Sequence, residues 1–201
     1  MGSGFESHVK YASSIYFHSD KDLYVNLFIP SDVDWDGTKV VQHTAFPQSS
    51  STVLTIEGKQ KNFALRLRYP SWATKMKVKV NGKNIKATKG KDGYVAISRL
   101  WNEGDRVEVS FGMELREVPT KDDASKVALV YGPVVMAGRL ADVPNPFSDP
   151  TKYNDYYTFN FNILASIADK AKYPGLKHIN MQDLIPFYDA HHCRYVVYWQ
   201  K

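Results

Sequence analysis

The first apolar positions, Phe5, Val9, Ala12 and Tyr16, recur at helical spacing and fall on one helix face. Ser3-Gly4-Phe5-Glu6 has the Ser-x-x-Glu form of a capping box, so the pattern predicts a short amphipathic helix running to about Phe17. A solitary helix of this length does not hold in water, and its apolar stripe is expected to dock on something. From Leu23 the period falls to two. Leu23 to Ile29, closed by Pro30, reads as a strand, and Lys39 to Thr44 reads as another.

Strand candidates then follow at short intervals: Thr52 to Glu57, Phe63 to Tyr69, Met76 to Val80, Lys83 to Ala87, Tyr94 to Ile97, Arg106 to Phe111 and Glu114 to Val118. Such spacing belongs to a sandwich or barrel. Asn81-Gly82 joins two of them as a type I′ turn, which needs positive φ at both central residues. Met76, Val78 and Val80 should then face the core, with Lys77 and Lys79 in solvent. Lys126 to Val130 and Val134 to Ala137 flank Tyr131-Gly132-Pro133 and read as buried strands. Ala141 to Tyr157, with Pro144, Pro146 and Pro150, reads as a surface excursion, and Ile163 to Ala171 has helical periodicity. His192 to Trp199 is expected to return as a strand that ties the tail to the main sandwich. The fold class is therefore all-β, an antiparallel, jelly-roll-like β-sandwich with a short N-terminal helix and a mixed C-terminal extension. The expected division is 1–20 helical, 21–140 sandwich and 141–201 tail.

Composition supports a folded chain: 201 residues, 43% hydrophobic, suffice for a large core, and the 13 tyrosines, 10 phenylalanines and 4 tryptophans suit pleated surfaces. The net charge of +5 comes from lysines scattered over Lys75 to Lys91 between strand residues, which reads as a solvated sheet face; no nucleic-acid partner is expected. There is no apolar run long enough to cross a membrane, so no membrane partner is expected, and Met1-Gly2-Ser3-Gly4 leads into charged residues rather than a signal core. The single cysteine, Cys193, excludes an internal disulfide and a multi-cysteine zinc site.

Few residues offer chemistry. Cys193 stands beside His191 and His192, but neighbours on a strand point to opposite faces, so the three cannot converge on one metal ion; packing is the expected role and no catalytic role is assigned. Tyr188, His191 and Arg194 are candidates for a polar surface or a domain contact. Trp35, Tyr69, Trp72 and Trp101 are candidates for a sugar-stacking platform, with Trp72 and Trp101 foremost, against the plainer reading that they seal the core ends. Asn81-Gly82 and Gly104-Asp105 read as turn chemistry alone.

Several segments taken in order resemble the β-L-arabinofuranosidase-type glycoside hydrolases, families 127 and 146. They are Gly2 to His8, Leu23 to Ser31, Leu67-Arg68-Tyr69-Pro70-Ser71-Trp72-Ala73, Val80-Asn81-Gly82, Gly93-Tyr94, Trp101-Asn102-Glu103-Gly104-Asp105 and Tyr131 to Gly138. The ending Pro186 to Trp199 resembles a tail module of many members. The resemblance implies an upstream α/α barrel that carries catalysis, with a zinc-bound cysteine as nucleophile and a glutamate as acid/base, followed by β-sandwich domains. Only the second part is expected here, since the family's cysteine pair precedes the segment matched by Gly2 to Glu6. The resemblance places this helix beside those cysteines, so Glu6 and His8 are candidates to line the parent's pocket. A retaining glycosidase needs a nucleophile and a proton donor flanking one bond, and neither is placed in this sequence.

The expected function is that of a non-catalytic accessory region of a bacterial glycoside hydrolase acting on plant-type glycans, inactive alone. No cofactor is expected in the fragment, and zinc is expected in the parent barrel. The expected partners are the upstream barrel of the same chain, a glycan, and a second copy as a homodimer. An exported, periplasmic or secreted, parent is the family expectation. Two rivals stand beside it: an autonomous carbohydrate-binding module, marked by an exposed row of aromatics, and a structural or dimerisation domain, marked by an exposed apolar patch.

Overall fold

Alternation of apolar and polar residues builds two facing sheets from Tyr16 to Phe111 in the computed structural model, which describes residues 10–142, 184–191 and 193–200. The four-stranded sheet contains β1 (Tyr16–His18), β2 (Asp22–Val25), β6 (Lys61–Arg68) and β9 (Tyr94–Trp101) in that order. The six-stranded sheet runs β3 (Ser31–Trp35), β4 (Thr38–Thr44), β5 (Ser51–Gly58), β10 (Arg106–Phe111), β7 (Met76–Val80) and β8 (Lys83–Ile85). All pairs in them are antiparallel except β2 with β6. The chain changes sheet repeatedly, which is why local strands end up in a sandwich rather than a meander.

The core lies between these sheets. Leu23, Val25, Leu65, Leu67 and Val95 from one sheet meet Val40, Leu54, Ile56, Val78 and Val107 from the other, all at 1% exposure or less. Each such side chain contributes about 1.5–3 kcal/mol by leaving water. Lys77 and Lys79 are exposed between buried Met76, Val78 and Val80, as the period of two requires. Asn81 and Gly82 adopt φ of 50° and 78°, the type I′ turn.

Two expectations at the N-terminal end are corrected. Helical hydrogen bonding covers residues 10–12 of the described chain and does not reach Phe17. Ser13 and Ser14 turn their hydroxyls back to the Lys10 carbonyl at 2.9 and 3.0 Å, a local competitor of helix continuation. Tyr16 then pairs with Val25 as a strand. The strand expected from Leu23 to Ile29 stops at Val25, because the amides of Asn26 and Leu27 donate to the Ile15 carbonyl and Gln42 Nε2 takes the carbonyls of Leu27 and Ile29. Strand β3 was not foreseen, although Asp36-Gly37, with φ of 57° and 83°, marks its hairpin to β4.

The remaining strands make a second unit, and the division falls after Met113 rather than at 140. In it β11 (Leu115–Pro119), β12 (Lys126–Tyr131), β13 (Val134–Asp142) and β14 (Leu184–Pro186) are successive neighbours. The ending splits into β15 (Cys193–Val196) on β13 and β16 (Tyr198–Gln200) on β12, so it closes this sheet and not the sandwich. The core here is Val127, Leu129, Met136, Leu184, Val196 and Trp199. The helix expected over Ile163 to Ala171 and the loop from 143 to 157 lie outside the described residues.

Candidate functional site

Charged and aromatic groups on the outer face of the four-stranded sheet are joined in one network. Leucines and valines at alternate positions of β2, β6 and β9 point inward, which leaves Asp22, Tyr24, Arg66 and Tyr94 outward. Arg66 Nε donates to Asp22 Oδ1 at 2.9 Å and its Nη1 to Asp92 Oδ2 at 2.8 Å. The guanidinium sits 5.4 Å from the centroid of Tyr24, whose ring meets Tyr94 edge-on at 5.2 Å. Tyr94 Oη donates to Asn26 Oδ1 at 2.9 Å. The hydrogen bond to Asp22 raises the pKa of Arg66, so the cation is fixed. Every carboxylate here faces a cation, an arrangement suited to holding shape rather than to moving a proton.

The tryptophans separate by depth. Trp101 is fully buried; its Nε1 donates to the Phe63 carbonyl at 3.1 Å, so no face is left for a sugar ring. Trp35 is also buried, against Phe63 at 5.4 Å, and Lys61 Nζ covers its ring at 3.6 Å. Both therefore follow the core-sealing reading. Trp72 is half-buried and stacks on Phe46 at 5.7 Å, with Phe111 edge-on at 5.6 Å. Tyr69 is half-buried with Lys89 Nζ 5.4 Å from its ring.

Asn81 and Asp105, read from the sequence as turn residues only, are joined. Asn81 Nδ2 donates to Asp105 Oδ1 at 2.7 Å, and the Asn102 amide donates to Asp105 Oδ2 at 2.9 Å. Burial pushes the Asp105 carboxyl up, but these two donors and the nearby Arg99 guanidinium outweigh it and hold the pKa below the usual value. Sequence reading missed the pair because the two turns lie 24 residues apart.

In the second unit Tyr188 and His191 are exposed and Cys193 is half-buried, opposite Asp142 in the strand register. Among the described residues no three His, Cys, Asp or Glu side chains come together in a group that could hold a metal. Val196 and Trp199 turn inward, while Tyr195 and Tyr198 are 44% and 55% exposed, with Phe187 edge-on to Tyr195 at 5.3 Å. Glu6, His8 and His192 lie outside the described residues.

Comparison with known proteins follows the same division. Residues 22–113 match the family described as β-L-arabinofuranosidase, GH127 middle domain, the span that forms most of the sandwich. A GH127 β-L-arabinofuranosidase from Geobacillus stearothermophilus T6 is similar with 29% identity and a TM-score of 0.58, over 67% of this chain and 23% of that one. A second GH127 β-arabinofuranosidase is similar at 27% identity and 0.54, over 62% of this chain and 24% of its own. A third structure, described as a glycoside hydrolase, is similar at 25% identity and 0.57, over 65% and 24%. No curated protein matches the chain. This chain thus spans about a quarter of those solved relatives, and residues 22–113 form a β-sandwich that is similar to their GH127 middle domain.

Proposed function

We propose that this chain is a non-catalytic accessory region of a glycoside hydrolase that acts on plant-type glycans, and that the parent is a retaining β-L-arabinofuranosidase. The observation that carries this reading is the match of residues 22–113 to a middle domain, in a chain that spans about a quarter of its solved relatives. A middle domain has neighbours, and the chemistry is assigned to one of them. Retaining hydrolysis needs a nucleophile and a proton donor on either side of one glycosidic bond, about 5–5.5 Å apart when both are carboxyl groups. Three carboxylates of the sandwich, Asp22, Asp92 and Asp105, are engaged with Arg66, Asn81 and Arg99. Zinc, in this reading, belongs to the parent's catalytic domain, as does any pocket role of Glu6 and His8.

The test is hydrolysis of an aryl β-L-arabinofuranoside by this chain and by the full-length parent, side by side, with zinc and reductant. Activity in the parent alone is expected. Turnover by the 201-residue chain itself would overturn the reading.

A second reading has one observation in its favour. Tyr195 on β15 and Tyr198 on β16 are both exposed while their neighbours Val196 and Trp199 are buried, and exposed aromatic rings are surfaces on which sugar rings stack. On this reading the second unit carries a carbohydrate-binding face. Retardation of the chain in a gel containing arabinan, abolished by Tyr195→Ala with Tyr198→Ala, is the expected result; unaltered mobility would remove it.

A further inference from the structure

The two outer faces of the sandwich differ in a way that the strand register makes plain. On the six-stranded sheet the outward ion pairs Lys39–Asp32 and Arg106–Glu108 stand beside exposed His43, Lys77 and Lys79, and neither Lys77 nor Lys79 is in an ion pair among the described residues. On the four-stranded sheet the outward residues fall in four rows: Phe17–Tyr24–Arg66–Ala96, Asp22–Ala64–Ser98, Asn62–Leu100 and Arg68–Tyr94. Phe17 and Leu100 are 47% and 48% exposed. The charge at the centre of this face is neutralised within it, since Arg66 is held by both Asp22 and Asp92, while Tyr94 and Arg68 donate to the same Asn26 oxygen. A paired cation can be covered without leaving an uncompensated charge, and Ala64, Ala96 and Ser98 let another surface come close.

We propose that this face is the seat of the catalytic domain of the parent hydrolase, a deepening of the functional reading above and dependent on it. Size selects the occupant. The eight-residue strands β6 and β9 reach about 26 Å and the shorter β2 and β1 about 13 and 10 Å, so at about 4.8 Å spacing they give a face of roughly 360 Å². A freely associating second copy needs about 800 Å² per partner. Domains within one chain hold on interfaces of about 600–1,500 Å² in total, which a face of this size supplies, because the covalent link replaces concentration. The chain enters the sandwich through β1 at the edge of this sheet, so a domain preceding a middle domain is tethered beside the face it covers.

The test is thiol labelling of Ala96→Cys and Ser98→Cys on this face, with Lys77→Cys and Lys79→Cys on the other, in this chain and in the full-length parent. Each site is followed separately from Cys193 by peptide mass. All four positions are solvent-exposed, so the variants should fold. In this chain all four are expected to label at the rate of an open thiol. In the parent, positions 96 and 98 should slow by at least about tenfold and positions 77 and 79 should not. Equal rates at 96 and 98 in an active parent would overturn this inference alone. Protection already present in this chain would overturn it too: growing with concentration it would assign the face to a second copy, and independent of concentration to this chain's own residues. Protection in a parent that hydrolyses no arabinofuranoside would remove both the occupant named here and the functional reading.

Discussion

Asn81 Nδ2 lies 2.7 Å from Asp105 Oδ1, so the turn that joins β7 to β8 is tied to the turn that precedes β10. Asn81 Oδ1 also accepts the Arg106 amide at 2.8 Å, which makes the asparagine side chain the link between the two turns. The link can be cut without disturbing the turn. Asn81→Gly keeps access to positive φ and removes only the side-chain bonds, and is expected to cost about 1–2 kcal/mol in urea denaturation. An unchanged midpoint would show that the link adds nothing to stability.

Asp105 should also give the sandwich part of its acid sensitivity. Its folded pKa is depressed, so the unfolded chain binds the proton more readily. The stabilisation is fully present above the unfolded value of about 3.9 and is lost as pH falls through the folded value. Asp105→Asn should therefore flatten the decline of stability below about pH 4. A mutant that declines in parallel with the parent chain would reject this assignment.

Two glycines with nearly the same positive φ should respond differently to alanine. Gly82 has φ of 78° and open space where a Cβ would stand, so Gly82→Ala pays only for the left-handed conformation, about 1–2 kcal/mol. Gly58 has φ of 79°, and a Cβ there would lie 2.5 Å from the Gly37 carbonyl oxygen. Gly58→Ala must also displace the β3–β4 hairpin and is expected to cost clearly more. Equal thermal shifts for the two variants would contradict the packing at Gly58.

Trp101 and Trp72 should likewise part company. Trp101→Phe removes buried volume and leaves the Phe63 carbonyl without its indole partner, which predicts a loss of about 2–4 kcal/mol. Trp72→Phe keeps an aromatic ring against Phe46 at a half-buried site and should cost less than about 1 kcal/mol. Chemical denaturation monitored by circular dichroism decides it. The reverse order would mean that the end of the sandwich near Phe46, not its interior near Phe63, limits stability.

Much of the sandwich was legible because its strands obey a local rule. Met76 to Val80 and Arg106 to Phe111 begin and end where alternation places them, and Asn81-Gly82 adopts the one hairpin turn its residues favour. The order of motifs likewise pointed to the arabinofuranosidase-type hydrolases, and residues 22–113 carry that likeness. β3 escaped notice because Ser31-Asp32-Val33-Asp34-Trp35 has too few apolar residues to announce a strand; the Asp-Gly turn after it was the available signal. At the N-terminal end the helical spacing carried on too far: helix is present at residues 10–12, but Tyr16 pairs with Val25 as a strand.

The sequence by itself determined which residues alternate, where the tight turns fall and which family the order of motifs resembles, since each depends on neighbours a few positions apart. Only the tertiary structure decided that Trp101 is core while Tyr195 and Tyr198 are surface, that the chain divides after Met113, and that Arg66 stands between Asp22 and Asp92. Those outcomes depend on which strands become neighbours. Parallel pairing of β2 with β6 brings Asp22 to Arg66 across 44 residues, and a side chain carries no local mark of a partner that far along the chain.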